Sequence, residues 1–269
     1  MILEETYRYL LTNQKDRLEN LTLTRVQIGM FLTAVGLSDG GLGMAGTLPD
    51  AEPHCTGTTR DFGDFTPGHI VGKRVTELFE TQKQSGLISS LRIAVLNAIS
   101  SRELAGNRYH ILEDTDPVDL IDPDFDGTIT IVGAFQSYIR KLSGKRSRLN
   151  VLELNENALS AEHRKHYIPA AGFREVLPGS GVVIITGLTL VNNTIDGLLS
   201  AITPGTRLIV TGPSSSVIPD VLFRHHVTHV GATRITRPDL LFDLVGQGGA
   251  GYHLFRYCAR KICLARDPV

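Results

Sequence analysis

The sequence contains a glycine pattern that could bind a phosphate group. The stretch LSDGGLGMAGT carries G-x-G-x-x-G at Gly41, Gly43 and Gly46. In a dinucleotide-binding turn these glycines close a strand-to-helix turn, admit the pyrophosphate and let the helix pack on the strand. A helix must follow, whereas the chain continues as TLPDAEPHC, with two prolines and no helical period. The preceding Asp39-Gly40 favours a hairpin whose returning strand is 41–46, and the phosphate turn is the weaker alternative.

A second position for such a turn is Gly133, which ends an apolar strand and precedes a helical pattern. The sequence there is G-A-F-Q, with one glycine where the dinucleotide fingerprint has three. Glu153 lies 20 residues further on, at the end of the next predicted strand. An acid at that place commonly accepts a hydrogen bond from a ribose hydroxyl. The alternative is an acid that ends a strand in solvent, and the pattern leaves both interpretations open.

Two polar loops follow later predicted strands, TGLTLVNNT at 186–194 and TGPSSS at 211–216. Ligands of open α/β sheets bind outside the carboxyl ends of the strands, so both loops are candidate ligand contacts. Asn193 or Thr194, and the serines 214–216, could instead cap the helices that follow. The convergence of three loops on one sheet edge is a better argument for a site than any single residue.

The histidines and cysteines could in principle bind a metal. His225, His226 and His229 form H-H-x-x-H, but the acid of the zinc motif H-E-x-x-H is missing and a strand is predicted from 227. Histidines at a helix C-terminus are the simpler interpretation. The adjacent His54-Cys55 supplies two ligands where structural zinc takes four. Cys258 and Cys263 cannot converge on one ion from a regular strand or helix, so we expect plain burial.

The elements that would position these residues change in character near residue 126. Residues 1–125 show a helix at 3–14, an extended stretch at 24–37, the hairpin, and helices near 72–80 and 86–101, which predicts an α+β domain. The acidic, proline-containing stretch 113–127 indicates a linker or boundary. From 128 onward, apolar strands alternate with helical segments such as 136–142, 193–202 and 238–245. Residues 126–269 are therefore predicted to form a Rossmann-like parallel sheet covered on both faces, and the fold class is α/β.

Composition narrows the function classes. The 269 residues include 27 basic and 28 acidic side chains, so no nucleic-acid partner is expected. Apolar runs are far shorter than the roughly 20 residues that span a bilayer, and the N-terminus has helical spacing rather than a signal-peptide pattern. No membrane partner is expected. Three cysteines suit a reducing compartment, so the predicted location is cytoplasmic. A homodimer is the commonest default for a soluble assembly.

Several motifs, in order, resemble a known family. They are SDGGLGMAG, AVLNAIS, IVGAF, VVIITGLTLVNNT and VTGPSSSVIPDVLF. Together they resemble the heavy-metal chelation proteins known as domain of unknown function family 364, over nearly the whole chain. The resemblance implies an enolase N-terminal-like domain joined to a Rossmann-like domain, with a ligand cleft between them. Carried onto this sequence, it places in the cleft Gly41, Gly43, Met44, Asn97, Gly133, Phe135, Thr186, Thr189, Asn192, Asn193, Gly212, Pro213 and Ser214.

The resemblance implies a role with heavy metals or with metal-chelating compounds. The implied cleft is poor in soft ligands, and its threonine, asparagine, serine and backbone N–H groups suit an organic or metal-complexed anion whose own donors hold the metal. We therefore expect a small-molecule or metal-complex binding protein. The alternative is an enzyme with a nucleotide-type cofactor, a dinucleotide or a methyl donor, bound between Gly133 and Glu153. A non-catalytic interaction module is a third alternative. The sequence assigns no catalytic residue and no metal ligand.

Overall fold

The first part of the chain forms helices around a small antiparallel sheet. The computed structural model describes residues 1–49 and 61–266, so His54-Cys55 lies outside the described residues. The elements up to residue 103 are α1 (Ile2–Asn13), α2 (Lys15–Asn20), β1 (Leu23–Ile28), β2 (Leu32–Leu37), β3 (Leu42–Gly46), α3 (Val75–Glu80) and α4 (Gly86–Glu103). The predicted helices at 3–14, 72–80 and 86–101 correspond to α1, α3 and α4.

The predicted hairpin is confirmed. Strands β2 and β3 pair antiparallel with Val35 opposite Gly43, and the Leu37 amide donates to the Gly41 carbonyl at 2.9 Å. Gly40 adopts φ +83°, which explains the Asp-Gly turn. The extended stretch 24–37 is divided into β1 and β2, which also pair antiparallel. The turn between β1 and β2 was not predicted, because it carries no paired turn dipeptide.

The second part of the chain builds a larger sheet. Its elements are β4 (Ile111–Glu113), β5 (Thr128–Val132), α5 (Gln136–Leu142), β6 (Arg148–Glu153), β7 (Tyr167–Pro169), α6 (Phe173–Val176), β8 (Val182–Thr186), α7 (Leu188–Val191), α8 (Ile195–Leu199), β9 (Arg207–Thr211), α9 (Asp220–Arg224), β10 (His229–Ile235), α10 (Pro238–Gly246), α11 (Gly251–Tyr257) and β11 (Ala259–Ala265).

The eight strands lie in the order β4-β11-β10-β9-β8-β5-β6-β7. Neighbouring strands pair in parallel from β10 through β9, β8, β5 and β6 to β7. Strand β11 pairs antiparallel with β10, and β4 pairs antiparallel with β11 at the edge of the sheet. The chain runs outward from β5 through β6 to β7, then returns to β8 on the other side of β5. The strand order therefore reverses between β5 and β8, and a ligand of an open α/β sheet binds outside the carboxyl ends of the strands at such a point.

Both faces of the large sheet are buried. Ile129 and Ile131 of β5 pack with the α5 residues Tyr138 and Ile139 on one face. Val132 packs on the opposite face, in the cluster that also contains residues of α1 and α4. Two-sided burial explains the continuous apolar runs from which the parallel strands were predicted.

The small sheet lies between helices from both parts of the chain. Its residues Leu32, Ala34 and Met44 pack on α10 and α11, while Val35 packs with α4 on the other side. All six residues of β2 are buried for this reason. The mixed α/β fold is confirmed, and the boundary at 125 with its enolase-like and Rossmann-like labels stays a prediction.

Some local predictions differ from the structure. The helix predicted at 193–202 is a five-residue helix, α8, and the polar loop before it contains the short helix α7. Strands β4 and β7 have three residues each, too few to show a period. The acidic stretch 113–127, interpreted as a linker or a boundary, contributes the buried residues Val118 and Ile121 to the core.

Cys258 and Cys263 are free and buried, as predicted. Burial and the nearby Asp116 raise the pKa of the Cys263 thiol to about 11, so the thiol is neutral. Within residues 1–49 and 61–266, we find no helix with the length and apolar character required to cross a bilayer.

Candidate functional site

Two cavities open at the carboxyl edge of the large sheet, where the strand order reverses. We call the first the Glu153 cavity; it measures about 540 Å³ and is lined by Val132, Gly133, Ala134, Phe135, Leu152, Glu153, Leu154, Ala170, Ala171, Phe173, Thr186, Leu188, Thr189, Asn192, Thr194 and Leu198. The second, the Lys261 cavity, measures about 620 Å³, and its lining includes Asp116, Tyr138, Arg140, Gly212, Pro213 and Lys261. Phe135 lines both cavities, so they are neighbours.

The predicted site residues are distributed over three cavities rather than one cleft. Six of them line the Glu153 cavity: Gly133, Phe135, Glu153, Thr186, Thr189 and Asn192. Gly212 and Pro213 line the Lys261 cavity with Phe135. A smaller cavity of about 240 Å³ beside the hairpin includes Gly43, Met44 and Asn97. Gly41, Asn193 and Ser214 line none of these three. Ligand contact by any of these residues stays a prediction.

The Glu153 carboxylate is fixed on the turn that follows β5. Its Oε2 accepts from the Ala134 amide at 2.8 Å, and its Oε1 accepts from the Leu154 amide at 2.7 Å. Gly133 has φ +102°, and a Cβ there would lie 3.0 Å from Cγ2 of Thr186. The acid therefore occupies an amide that a phosphate-binding turn would offer to its ligand. A carboxylate at this place favours ligand hydroxyl groups and disfavours a phosphate.

Several polar side chains after β8 form hydrogen bonds within their own loop. Thr189 Oγ1 donates to the Thr186 carbonyl at 2.7 Å, and Asn192 Oδ1 accepts from the Thr194 amide and hydroxyl. Thr194 occupies the N-cap position of α8, as the capping interpretation expects, but its side chain makes no capping hydrogen bond. Asn193 has φ +57°, which asparagine tolerates better than most residues. Thr186 lines the cavity, and its Oγ1 accepts from the Leu188 amide at 3.3 Å, which leaves the hydroxyl proton available to donate.

The Lys261 cavity contains a buried carboxylate shared by two side chains. Asp116 is 7% exposed; the Tyr138 hydroxyl donates to its Oδ1 at 2.6 Å and the Lys261 ammonium lies 2.5 Å from its Oδ2. Burial and the Asp116 charge raise the pKa of Tyr138 far above its usual range, so the hydroxyl stays protonated. Arg140 reaches the same cavity and has no ion-pair partner among the described residues. This arrangement leaves a net positive charge in the cavity.

Sequence reasoning missed Asp116, Tyr138 and Lys261. Asp116 belongs to the acidic stretch that was interpreted as a linker, and its partner Lys261 is 145 residues away in the chain. The one local signal is Asp116-Pro117, since the Asp116 side chain accepts from the Val118 amide and starts a short helical turn. That signal predicts a cap, not a site.

The glycine-rich strand β3 has a packing function. A Cβ at Gly43 would lie 2.2 Å from the Ala94 carbonyl oxygen, and one at Gly41 would lie 2.6 Å from the Ala98 oxygen. The missing side chains let β3 lie directly on α4. Since β3 is antiparallel to β2 and no helix follows it directly, the phosphate-turn alternative is wrong.

Asn97 joins three segments of the molecule. Its Nδ2 donates to the carbonyl oxygens of Met44, Ser214 and Pro213 at 2.6, 3.1 and 3.3 Å. The Ser214 hydroxyl in turn accepts from the Gly46 amide at 2.8 Å. These bonds tie the hairpin and α4 to the turn after β9. Ser214, Ser215 and Ser216 bond to strands and turns rather than capping a helix.

The described residues do not fit a protein-held heavy metal. Across residues 1–49 and 61–266, no group of three or more His, Cys, Asp or Glu side chains could hold an ion. His225 bonds to Glu5, and His229 bonds to the Arg207 guanidinium. The zinc interpretation of H-H-x-x-H is therefore wrong. Thr, Asn and Ser around the cavities are hard, weak ligands that do not select a soft metal.

Comparison with known proteins agrees with the fold. A family model described as "Putative heavy-metal chelation", DUF364, matches residues 116–264, and the companion model DUF4213, with the same description, matches residues 13–100. A DUF364-family protein of unknown function from Pyrococcus horikoshii is 20% identical, with a TM-score of 0.79 over 99% of this chain and 100% of that one. Another from Desulfitobacterium hafniense is 16% identical, with a TM-score of 0.74 over 98% and 100%.

No curated protein matches the chain. The two solved structures share the fold across their full length, and at their level of identity they show the fold alone. The DUF364 model by itself matches more than half of the 269 residues. The chain therefore belongs to the DUF364 family.

Proposed function

We propose that this protein binds a small organic molecule, or a metal complex whose own donor atoms hold the metal, and acts in heavy-metal handling. The observation that carries the proposal is the pair of neighbouring cavities at the carboxyl edge of the large sheet, which share Ala134 and Phe135 in their linings. Each volume falls in the range of roughly 300–1,000 Å³ typical of small-molecule sites. The family description supports a metal-related ligand.

The chemistry of the two cavities defines what the ligand should carry. The Glu153 cavity has apolar walls with an acid, three threonines and an asparagine, which suits an organic body bearing hydroxyl or amide groups. The Lys261 cavity presents an ammonium and the free Arg140 guanidinium, which suits a carboxylate. A polycarboxylate chelate combines both features. It would bring the metal with its donors, as the poor protein donor set requires.

Thermal unfolding with and without chelates tests this proposal. The probes are ferric citrate, nickel–histidine, the free metals and the free chelators. We expect a chelate to raise the Tm in a concentration-dependent way, because ligand that binds only the native state stabilises it. Lys261→Gln should weaken that shift at least tenfold in concentration, whereas Lys165→Gln, an exposed lysine outside both cavities, should leave it unchanged. Equal shifts in the two variants would contradict the site, and no shift with any probe would contradict the function.

A nucleotide-type cofactor is the second candidate function. Glu153 favours it, since the acid stands at the end of β6 and faces a cavity beside the β5 turn. The same carboxylate on the Ala134 amide disfavours a pyrophosphate. A methyl donor, which carries a ribose without a phosphate, therefore fits better than a dinucleotide.

Calorimetric titration with S-adenosylmethionine and NAD separates the cofactor classes. We expect the methyl donor to bind and NAD to fail. Glu153→Gln should weaken binding of S-adenosylmethionine about tenfold, with the exposed Glu156→Gln as the matched control. Unchanged affinity in Glu153→Gln would remove the ribose assignment. We place either function in the cytoplasm, which the low cysteine content supports.

A further inference from the structure

A cationic cavity lies at the amino edge of the large sheet, opposite the cavities of the proposed function. It measures about 460 Å³, and we call it the Arg207 cavity. Arg207 begins β9, His229 begins β10, and Arg266 follows the end of the antiparallel β11, so three neighbouring strands bring these residues together. His225 and His226 complete its basic lining.

No acidic side chain among the described residues lines this basic cavity. Its lining among the described residues contains two arginines and three histidines, and no aspartate or glutamate. Arg207 forms no ion pair in residues 1–49 or 61–266, and its Nε is buried without any hydrogen-bond partner. Arg266 makes one long side-chain contact, 3.5 Å to the Phe223 carbonyl oxygen. A half-buried guanidinium without a counter-ion is costly, so these residues have a reason beyond folding.

The histidine beside Arg207 does not offset its charge. Arg207 Nη2 lies 3.2 Å from His229 Nε2, and because a guanidinium only donates, Nε2 must be the unprotonated acceptor. Nδ1 then carries the proton and donates to Thr228 Oγ1 at 2.9 Å. Burial and the Arg207 charge lower the pKa of His229 to about 4, which agrees with a neutral ring. Glu5 lies beyond the lining, where it bonds His225 and Arg224.

We propose that the Arg207 cavity binds a phosphate group carried by a small organic molecule. Arg207 and Arg266 both line the cavity, and a phosphate accepts charge-assisted bonds from the planar fork of arginine. The volume exceeds what one inorganic phosphate fills, and the lining also includes the apolar residues Leu199, Ile202 and Leu208. This site is separate from the proposed chelate site, and neither depends on the other.

Isothermal titration with inorganic phosphate, ribose 5-phosphate and ribose, at low and at physiological ionic strength, tests the site. We expect ribose 5-phosphate to bind at both salt concentrations, inorganic phosphate to bind more weakly, and ribose not to bind. If inorganic phosphate binds as tightly as ribose 5-phosphate, the organic body contributes nothing and the ligand class proposed is wrong. If neither ribose 5-phosphate nor inorganic phosphate binds, the proposed site is refuted.

Variants locate the binding. Arg207→Gln and Arg266→Gln should each weaken ribose 5-phosphate binding at least tenfold, and Arg207→Lys should restore only part of it. Arg148→Gln is the matched control, because Arg148 begins strand β6 in the same way but is exposed and outside the cavity. If Arg207→Gln fails to fold, Arg266→Gln carries the test alone. Equal affinity in wild type and in the folded arginine variants would refute the proposal.

Discussion

The packing function of the glycine-rich strand makes a quantitative prediction for Gly43→Ala. The new Cβ would lie 2.2 Å from both the Ala94 carbonyl oxygen and the Ala98 amide nitrogen, whereas ordinary contacts are 3.4–4 Å. Both atoms belong to the backbone of α4, so no side-chain rotation relieves the clash, and the strand and helix must separate. Overpacking of this kind costs about 1–3 kcal/mol in the free energy of unfolding. For a chain of this size we expect the Tm to fall by roughly 2–12 °C.

Scanning calorimetry and urea denaturation measure this effect. Gly144→Ala is the matched control, since Gly144 is exposed and a Cβ there would meet nothing within 4 Å. The control should change the Tm by no more than about 1–2 °C. An unchanged Tm in Gly43→Ala would refute the packing role of Gly43 against α4. If that variant also lost ligand binding, the missing side chain would be needed for the approach of a ligand instead.

Three further predictions concern buried and half-buried polar groups. Asn97→Ala should lower the free energy of unfolding by about 2–3 kcal/mol. Asn97→Asp should lower it by more, because a carboxylate would face three carbonyl oxygens. An Asp variant as stable as the wild type in urea denaturation would contradict the three hydrogen bonds that Asn97 donates. Tyr138→Phe should lower the free energy of unfolding by about 1.5–3 kcal/mol, because it removes the hydroxyl that donates to the buried Asp116. The control Tyr257→Phe changes an exposed tyrosine and should leave the free energy of unfolding, measured by urea denaturation, nearly unchanged. Because His229 has a pKa of about 4 in the fold and 6.5 when unfolded, the unfolded chain takes up the proton first, so stability should fall as the pH drops from 6.5 to 4. His229→Gln should flatten that part of a stability-against-pH curve, and an unchanged slope would refute the assignment.

Local patterns predicted the elements whose cause is local. Asp39-Gly40 sufficed for the hairpin, since its turn geometry depends on two residues, and apolar runs such as VVIIT sufficed for strands buried on both faces. The candidate site was harder to predict from the sequence, because its contacts join residues that are far apart in the chain. Asp116 meets Lys261 across 145 residues, and Asn97 meets Ser214 across 117. Such pairs are set by strand order, which no local period encodes.

The charges in the Glu153 cavity and the Lys261 cavity restrict the proposed ligand more than the volumes of the cavities do. Glu153 places a carboxylate in one cavity, while Lys261 and Arg140 leave the other positive even after Asp116 neutralises one cation. A bare cation would be attracted to the first cavity and repelled by the second, and Glu153 already accepts from three backbone amides. A ligand with hydroxyl or amide donors at one end and a carboxylate at the other satisfies both cavities at once. On the proposed function, the protein therefore recognises the chelator rather than the metal, and the metal-free chelator should bind almost as well as its complex.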